Sequence, residues 1–384
     1  MPRLASFLSA FAVTVTATFA ATAPTDFLVY FGTYAKAPSK GIYRSHFDAA
    51  TGRLSPAELA AEAKDPAFLA LHPKGNVLYA IDESADTQRT PGQGLAAYSI
   101  DPKSGSLTLL NRQSTGSSGA CHLTVDATGR AILVANYGGG GVSAVALSPD
   151  GRLGAVGSVI QHTGSSVNPA RQKGPHAHQI ITSADNRFAF VPDLGLDRVM
   201  VYQIDPGAAK LTAHNPPSNS LAPGSGPRHM TFHPSNQFAY VISEMLCTMT
   251  AFRYDSARGT LAEIQTVSTL PPGEAVAKGT STAEVQVHPS GKFLYGSNRG
   301  HNTIVVYAID PASGKMTYVE NVSTQGKTPR HFTLDPTGRW LLAENQDSNT
   351  VAVLRIDEKS GRLTPTGTPV EIPVPVSAVF VPTR

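Results

Sequence analysis

The triplet Gly-x-Leu recurs along the chain, at Gly52-Arg53-Leu54, Gly105-Ser106-Leu107, Gly151-Arg152-Leu153, Gly259-Thr260-Leu261 and Gly361-Arg362-Leu363. Gly314-Lys315-Met316 and Ala209-Lys210-Leu211 are variants, which makes seven copies 46 to 58 residues apart. Ahead of most copies an alternating run ends in Asp: "AAYSID" (96–101), "MVYQID" (200–205), "TAFRYD" (250–255), "VVYAID" (305–310) and "AVLRID" (352–357). Further upstream lies a turn, "HPKG" (72–75), "HPSN" (233–236), "HPSG" (288–291) or "DPTG" (335–338), with looser forms "DATG" (126–129) and "SADN" (183–186). Gly or Asn stands where such turns need positive φ. The segments between alternate with period two and are rich in Val, Tyr, Phe and Thr, as strands are. Each unit therefore reads as four strands. Self-similar four-stranded units at this period predict an all-β, seven-bladed β-propeller.

The chain ends point to closure of the ring. "VSAVFVP" (376–382) reads as a first strand with nothing after it. "FLVYFGTY" (27–34) and "GIYRSHFD" (41–48) read as later strands lacking a first one. Joined, they complete a last blade from both termini and leave no open sheet edge. One domain over residues 24–384 is expected.

The 384 residues suffice for one large all-β domain, and 41% hydrophobic against 15% charged residues suits a well-cored protein. A net charge of +3 without blocks of like charge gives no clustered basic footprint, so no nucleic-acid partner is expected. The N-terminus "MPRLASFLSAFAVTVTATFAATAP" has Arg3 before an apolar run ending in small residues, and no acid before Asp26. It reads as a signal peptide over residues 1–23, hence a periplasmic or secreted protein, or a cytoplasmic one if that reading fails. An uncleaved anchor is the alternative. No other segment is long and apolar enough to span a bilayer, so no integral membrane domain is expected. Cys121 and Cys247 lie in different repeats and are expected to be buried and unbridged.

In a propeller the first strand of each blade lines the central channel. Aligned on their turns, these strands place Phe68, His122, Gln179, His229, Glu284 and His331 on the channel side, with apolar residues on the other face. One position earlier, at the rim, stand Ala67, Cys121, His178, Arg228, Ala283 and Arg330. The loops after the second strands bring Asp82-Glu83, Asn136-Tyr137, Asp193-Leu194, Ser243-Glu244, Asn298-Arg299 and Asn345-Gln346 to the same end. His178, Arg228, Glu244 and Arg299 thus gather from three consecutive blades. Spacing alone fits a functional site or a set of structural ion pairs equally. His72, His233 and His288, in the His-Pro turns, read as structural caps.

"NPARQKGPHAHQ" (168–179), "VPDLGLDRVMVYQID" (191–205), "GPRHMTFHPSNQFAYVISE" (226–244) and "EVQVHPSGKFLYGSNRGHNTIVVYAID" (284–310) resemble the seven-bladed propeller lactonases. That family includes propeller-type 6-phosphogluconolactonases and carboxy-cis,cis-muconate cyclases, and the resemblance covers the chain after the leader. It implies a catalytic set of His178, Arg228, Glu244 and Arg299, with His176 as an alternative to His178. His176, His229, Arg330, His331 and Asn298 are the candidate substrate contacts. Asp193 and Arg198 match a further motif, as a pair holding a loop. Departures are Ser243 and Met245 beside Glu244, and Asn302 where the family pattern is acidic.

The implied reaction is hydrolysis of a small sugar or organic-acid lactone. Glu244 or His178 would act as general base or pass a proton to the leaving oxygen, and the arginines would hold an anionic group and the oxyanion. No Gly-x-Ser-x-Gly elbow predicts an acyl-enzyme. No metal and no cofactor are expected, and the protein is expected to be a monomer with a small-molecule lactone as its partner. Two other readings stay open: a non-enzymatic propeller binding an anionic ligand or protein, and a muconate-type lactonising cyclase.

Overall fold

Each repeat folds as a four-stranded antiparallel meander, because alternating runs separated by tight turns can pair only with their neighbours. The computed structural model describes residues 25–83 and 94–383. The leader read over 1–23 lies outside the described residues. Blades 1 to 6 span residues 69–114, 120–161, 181–220, 227–268, 281–323 and 329–371. Blade 7 takes its innermost strand, Pro375–Pro382, from the C-terminus and pairs it antiparallel with Asp26–Thr33 from the N-terminus. Gly41–Asp48 follows, with the outer pieces Arg53–Leu54 and Glu58–Glu62. Closure by both termini is as read from the sequence. Among the described residues the one helical segment is the short 3-10 turn Gln346–Ser348.

The core lies between blades rather than within them. Each apolar cluster joins two neighbours, as Phe190 and Val201 of blade 3 do with Met230, Val241 and Phe252 of blade 4. The recurrent glycine has its place here. In the turn joining the third and fourth strands, Gly314 has φ +72° and its missing Cβ would lie 2.4 Å from Phe238 of the preceding blade. Its carbonyl accepts the Tyr240 hydroxyl at 3.1 Å. Tyr30, Tyr79 and Tyr295 bind Gly105, Gly151 and Gly361 in the same way. The His-Pro turns serve the same junctions. His233 and His288 donate from Nε2 to the carbonyls of Gly291 and Gly338 in the next blade, while Nδ1 accepts the backbone N–H of Ser235 and Ser290. His72 reaches Gly129 likewise, at 3.2 Å. Cys121 and Cys247 are buried and unbridged, as expected.

At the opposite end the inner strands carry a repeated irregularity. The pairing skips one residue at the top of the inner strand: Cys121 in blade 2, Arg228 in blade 4 and Arg330 in blade 6. A bulge re-aims the extra side chain. Strict alternation would turn Arg228 towards the same side as Met230, into the apolar interface between sheets. The bulge turns it to the mouth of the channel instead.

Candidate active site

The mouth of the channel holds a cavity of about 320 Å³ lined by Glu83, Cys121, Tyr137, Arg171, His178, Glu244, Arg299 and Arg330. Below it a constriction is lined by Tyr34, Phe68, His229 and His331, among others. Glu244 sits at the end of the second strand of blade 4, with its backbone N–H held by Gly226 O at 2.7 Å. Three guanidinium groups surround its carboxylate. Arg171 Nη2 lies 2.7 Å from Oε1, Arg299 Nη2 2.9 Å from Oε2, and Arg228 Nε 3.3 Å from Oε2. The arginines are themselves anchored: Arg228 donates to Ala283 O at 2.8 Å and Arg299 to Thr282 O at 2.7 Å. Arg171 also reaches the Tyr137 hydroxyl at 3.2 Å.

His178 completes this wall. Its ring meets those of Tyr137 and His229 edge to face, at 5.2 and 5.4 Å, and its Nδ1 lies 3.9 Å from the Cys121 sulfur. Arg330 lies 5.1 Å above the Tyr34 ring and has no hydrogen-bond or ion-pair partner among the described residues. Tyr34 donates to Glu83 Oε2 at 2.8 Å.

The electrostatics follow from burial and charge count. Burial alone would raise the Glu244 carboxyl, but Arg299, Arg228, His178 and Arg171 outweigh it and hold it well below the usual carboxylate range. Burial, with Arg228 beside it, holds the His178 imidazole well below its ordinary value. Burial, Arg330 and Arg299 push Arg228 down to about 9, so it remains a cation at neutral pH. Four arginines against two glutamates leave a cavity suited to an anionic or oxyanionic guest.

His178, Arg228, Glu244, Arg299 and Arg330 are therefore brought together. His229 and His331 lie deeper, at the constriction. His176 does not line the cavity. It stacks behind Tyr137 at 4.5 Å and bonds that residue's carbonyl from Nδ1 at 3.0 Å. Asn298 is fully buried in blade 5, donating to Thr269 O at 2.9 Å, and does not reach the cavity either. Asp193 pairs with His162 Nδ1 at 2.6 Å, and Arg198 turns to Ser218 Oγ at 3.4 Å, so the loop is not held by an Asp193–Arg198 ion pair. Arg171, Glu83, Tyr34 and Tyr137 were not singled out in the sequence. Glu83 and Tyr137 occupy the rim slot after a second strand, and Arg171 falls within the run 168–179.

Residues 28–380 match the family model described as Lactonase, 7-bladed beta-propeller. The chain belongs to this lactonase family. It is 37% identical over 311 residues to the 6-phosphogluconolactonase of Bacillus subtilis, covering 81% of this chain and 86% of that protein. A 6-phosphogluconolactonase of Formosa agariphila is 30% identical over 306 residues, 78% of this chain and 84% of its own. Among solved structures, the periplasmic gluconolactonase of Pseudomonas aeruginosa superposes with a TM-score of 0.86 at 31% identity, over 94% of this chain and 100% of that one. The propeller lactonases thus share with this chain the whole ring of blades and not a local motif.

Proposed function

We propose that this protein hydrolyses a small sugar lactone of the glucono-δ-lactone type in the cavity at the channel mouth. The observation that carries the reading is the Glu244 carboxylate bound by Arg171, Arg228 and Arg299 on the same wall as His178. A cavity of about 320 Å³ lies at the small end of ligand pockets, roughly 300–1,000 Å³. Export, as read from residues 1–23, would favour an unphosphorylated lactone, the substrate class in the name of the periplasmic relative.

Glu244 keeps its charge beneath three guanidinium groups. Its part is to fix them and to accept a hydrogen bond from the attacking water. The base role falls to His178, whose imidazole is neutral in the resting site and whose protonated form, disfavoured by burial and Arg228, is favoured by the Glu244 carboxylate as it takes the water's proton. Arg228 and Arg299 face the carbonyl oxygen as it gains charge, and Arg330, without an ion-pair partner among the described residues, is available to a carboxylate or a polarised hydroxyl.

The test is proton release on mixing with D-glucono-δ-lactone, corrected for spontaneous opening. Wild type is expected to accelerate it, and an Arg228→Ala/Glu244→Gln double variant to lose ~10³-fold or more in kcat/KM. Equal rates with and without wild-type protein would leave the anion-binding propeller as the better reading.

A further inference from the structure

We propose that Glu83 is the proton donor to the departing alkoxide when the lactone ring opens, an inference that rests on the lactonase reading above. Glu83 follows the second strand of blade 1, which lies across the axis from blade 4 and Glu244 in a ring of seven. It lines both the cavity and the constriction below, in company with His178 and Arg330. Its backbone N–H is held by Asp65 O at 3.2 Å. Oε2 accepts the Tyr34 hydroxyl at 2.8 Å, and Oε1 has no hydrogen-bond partner among the described residues.

Opening a lactone needs two proton transfers at different oxygens. Water attacks the carbonyl carbon and gives one proton to His178. The ring C–O bond then breaks, and its oxygen leaves as an alkoxide unless a proton arrives with it. A donor must hold a proton at neutral pH and be able to give it up. Glu244 has none to give, under three guanidinium groups. Tyr34 and Cys121 hold theirs too tightly, since burial raises both well above their ordinary values. His178 is occupied with the proton of the attacking water.

Glu83 is the remaining carboxyl on the wall. Burial raises it above the ordinary glutamate value. The groups facing it are Arg330, Tyr34 and Arg228, which pull the other way, and Asp65, which adds to the rise. Its field in turn raises Cys121. Two carboxyls on one cavity, one held ionised and one pushed towards its acid form, are how a single site divides acid from base work. After the ring opens, the proton taken by His178 returns to the Glu83 carboxylate through cavity water. The net reaction is one water added and one C–O bond cleaved, with both groups restored.

The experiment compares wild type, Glu83→Gln and Glu83→Asp on D-glucono-δ-lactone, from about pH 5 to 8, following proton release. A general acid acts in its protonated form, so wild-type kcat falls as pH rises through the Glu83 pKa. In Glu83→Gln kcat is expected to drop ~10²–10⁴-fold with KM within about threefold, and the alkaline fall to vanish. Glu83→Asp is expected to keep an alkaline fall, moved to lower pH because an aspartic carboxyl is the stronger acid, and to recover part of the rate. A Glu83→Gln variant with near wild-type kcat, or with the same alkaline fall, overturns the assignment while leaving the lactonase reading intact. If Glu83→Gln does not fold, as judged by circular dichroism, Glu83→Asp decides: an alkaline fall unmoved from wild type overturns the proposal. Wild type that opens no lactone removes both readings together.

Discussion

Asp197 shows how much of the site depends on one residue outside the cavity. It is buried, with φ +53°, and its carboxylate accepts five hydrogen bonds. Oδ1 takes Gly226 N at 2.7 Å and Gln172 Nε2 at 2.8 Å, and Oδ2 takes Gly224 N at 2.6 Å. Ser166 and Ser225 supply the other two. These donors lie next to Arg171 and two residues before Arg228, so Asp197 ties together the two loops that aim their guanidinium groups at Glu244. Asp197→Asn keeps the backbone, since Asn tolerates left-handed φ. It places an NH2 where only donors converge, leaving at least one of them unpaired at about 1–3 kcal/mol. Lactone kcat/KM is expected to fall ~10–100-fold through misplaced arginines while the fold persists. An unchanged kcat/KM with a lowered melting temperature would mean a purely structural role. The four principal site residues were legible because they fall in repeat slots or family motifs. Arg171 was not, because it sits on the long 162–180 connection, which obeys no blade period.

At the scale of the strand and turn, the repeat was legible for a physical reason. A turn glycine must accept a bulky side chain of the preceding blade at the same place in each unit. The Tyr240–Gly314 lock tests this. Tyr240→Phe removes the hydroxyl from a buried carbonyl and is expected to cost about 1–3 kcal/mol, lowering Tm by roughly 2–4 °C. Lactone kcat should stay at the wild-type value, because these turns lie at the end of the ring opposite the cavity. A Tm equal to wild type would show the lock to be passive packing. Bulges were not legible. Period-two alternation assigns each inner-strand side chain to one of two faces, and by that rule Arg228 and Arg330 share a face with the core. That Arg330 reaches the cavity and Arg228 the constriction below it depends on a skipped pairing that no residue type announces.

Over the whole molecule, closing the ring buries what an open array of sheets would leave wet. Seven inner strands meeting on one axis force their channel-side polar residues together. Glu284 receives His229 Nδ1 at 2.7 Å and lies 3.5 Å from His331 Nε2. His331 Nδ1 is 3.0 Å from Glu344 Oε2, and Glu344 Oε1 has no hydrogen-bond partner among the described residues. Burial raises both carboxyls. Burial alone would lower His331, but Glu284 and Glu344 outweigh it and raise it as well. Groups whose folded-state pKa is raised make the native state bind more protons than the unfolded chain. Their stabilisation is complete below the free values, ~4.3 for Glu and ~6.5 for His, and drains away as pH rises through the folded values. Glu244, with its lowered pKa, behaves oppositely, and its contribution is lost only in acid. His122, His178 and His229, held low by burial, work the other way up to the free His value of ~6.5, so it is above that pH that Glu284, Glu344 and His331 should make the propeller less stable as pH rises. Glu344→Gln removes one proton site and the field that helps raise His331, so its melting temperature should decline less steeply with pH than that of wild type. Thermal unfolding at matched ionic strength across that range decides it. Parallel curves for the two proteins would mean that the channel groups do not titrate together with unfolding.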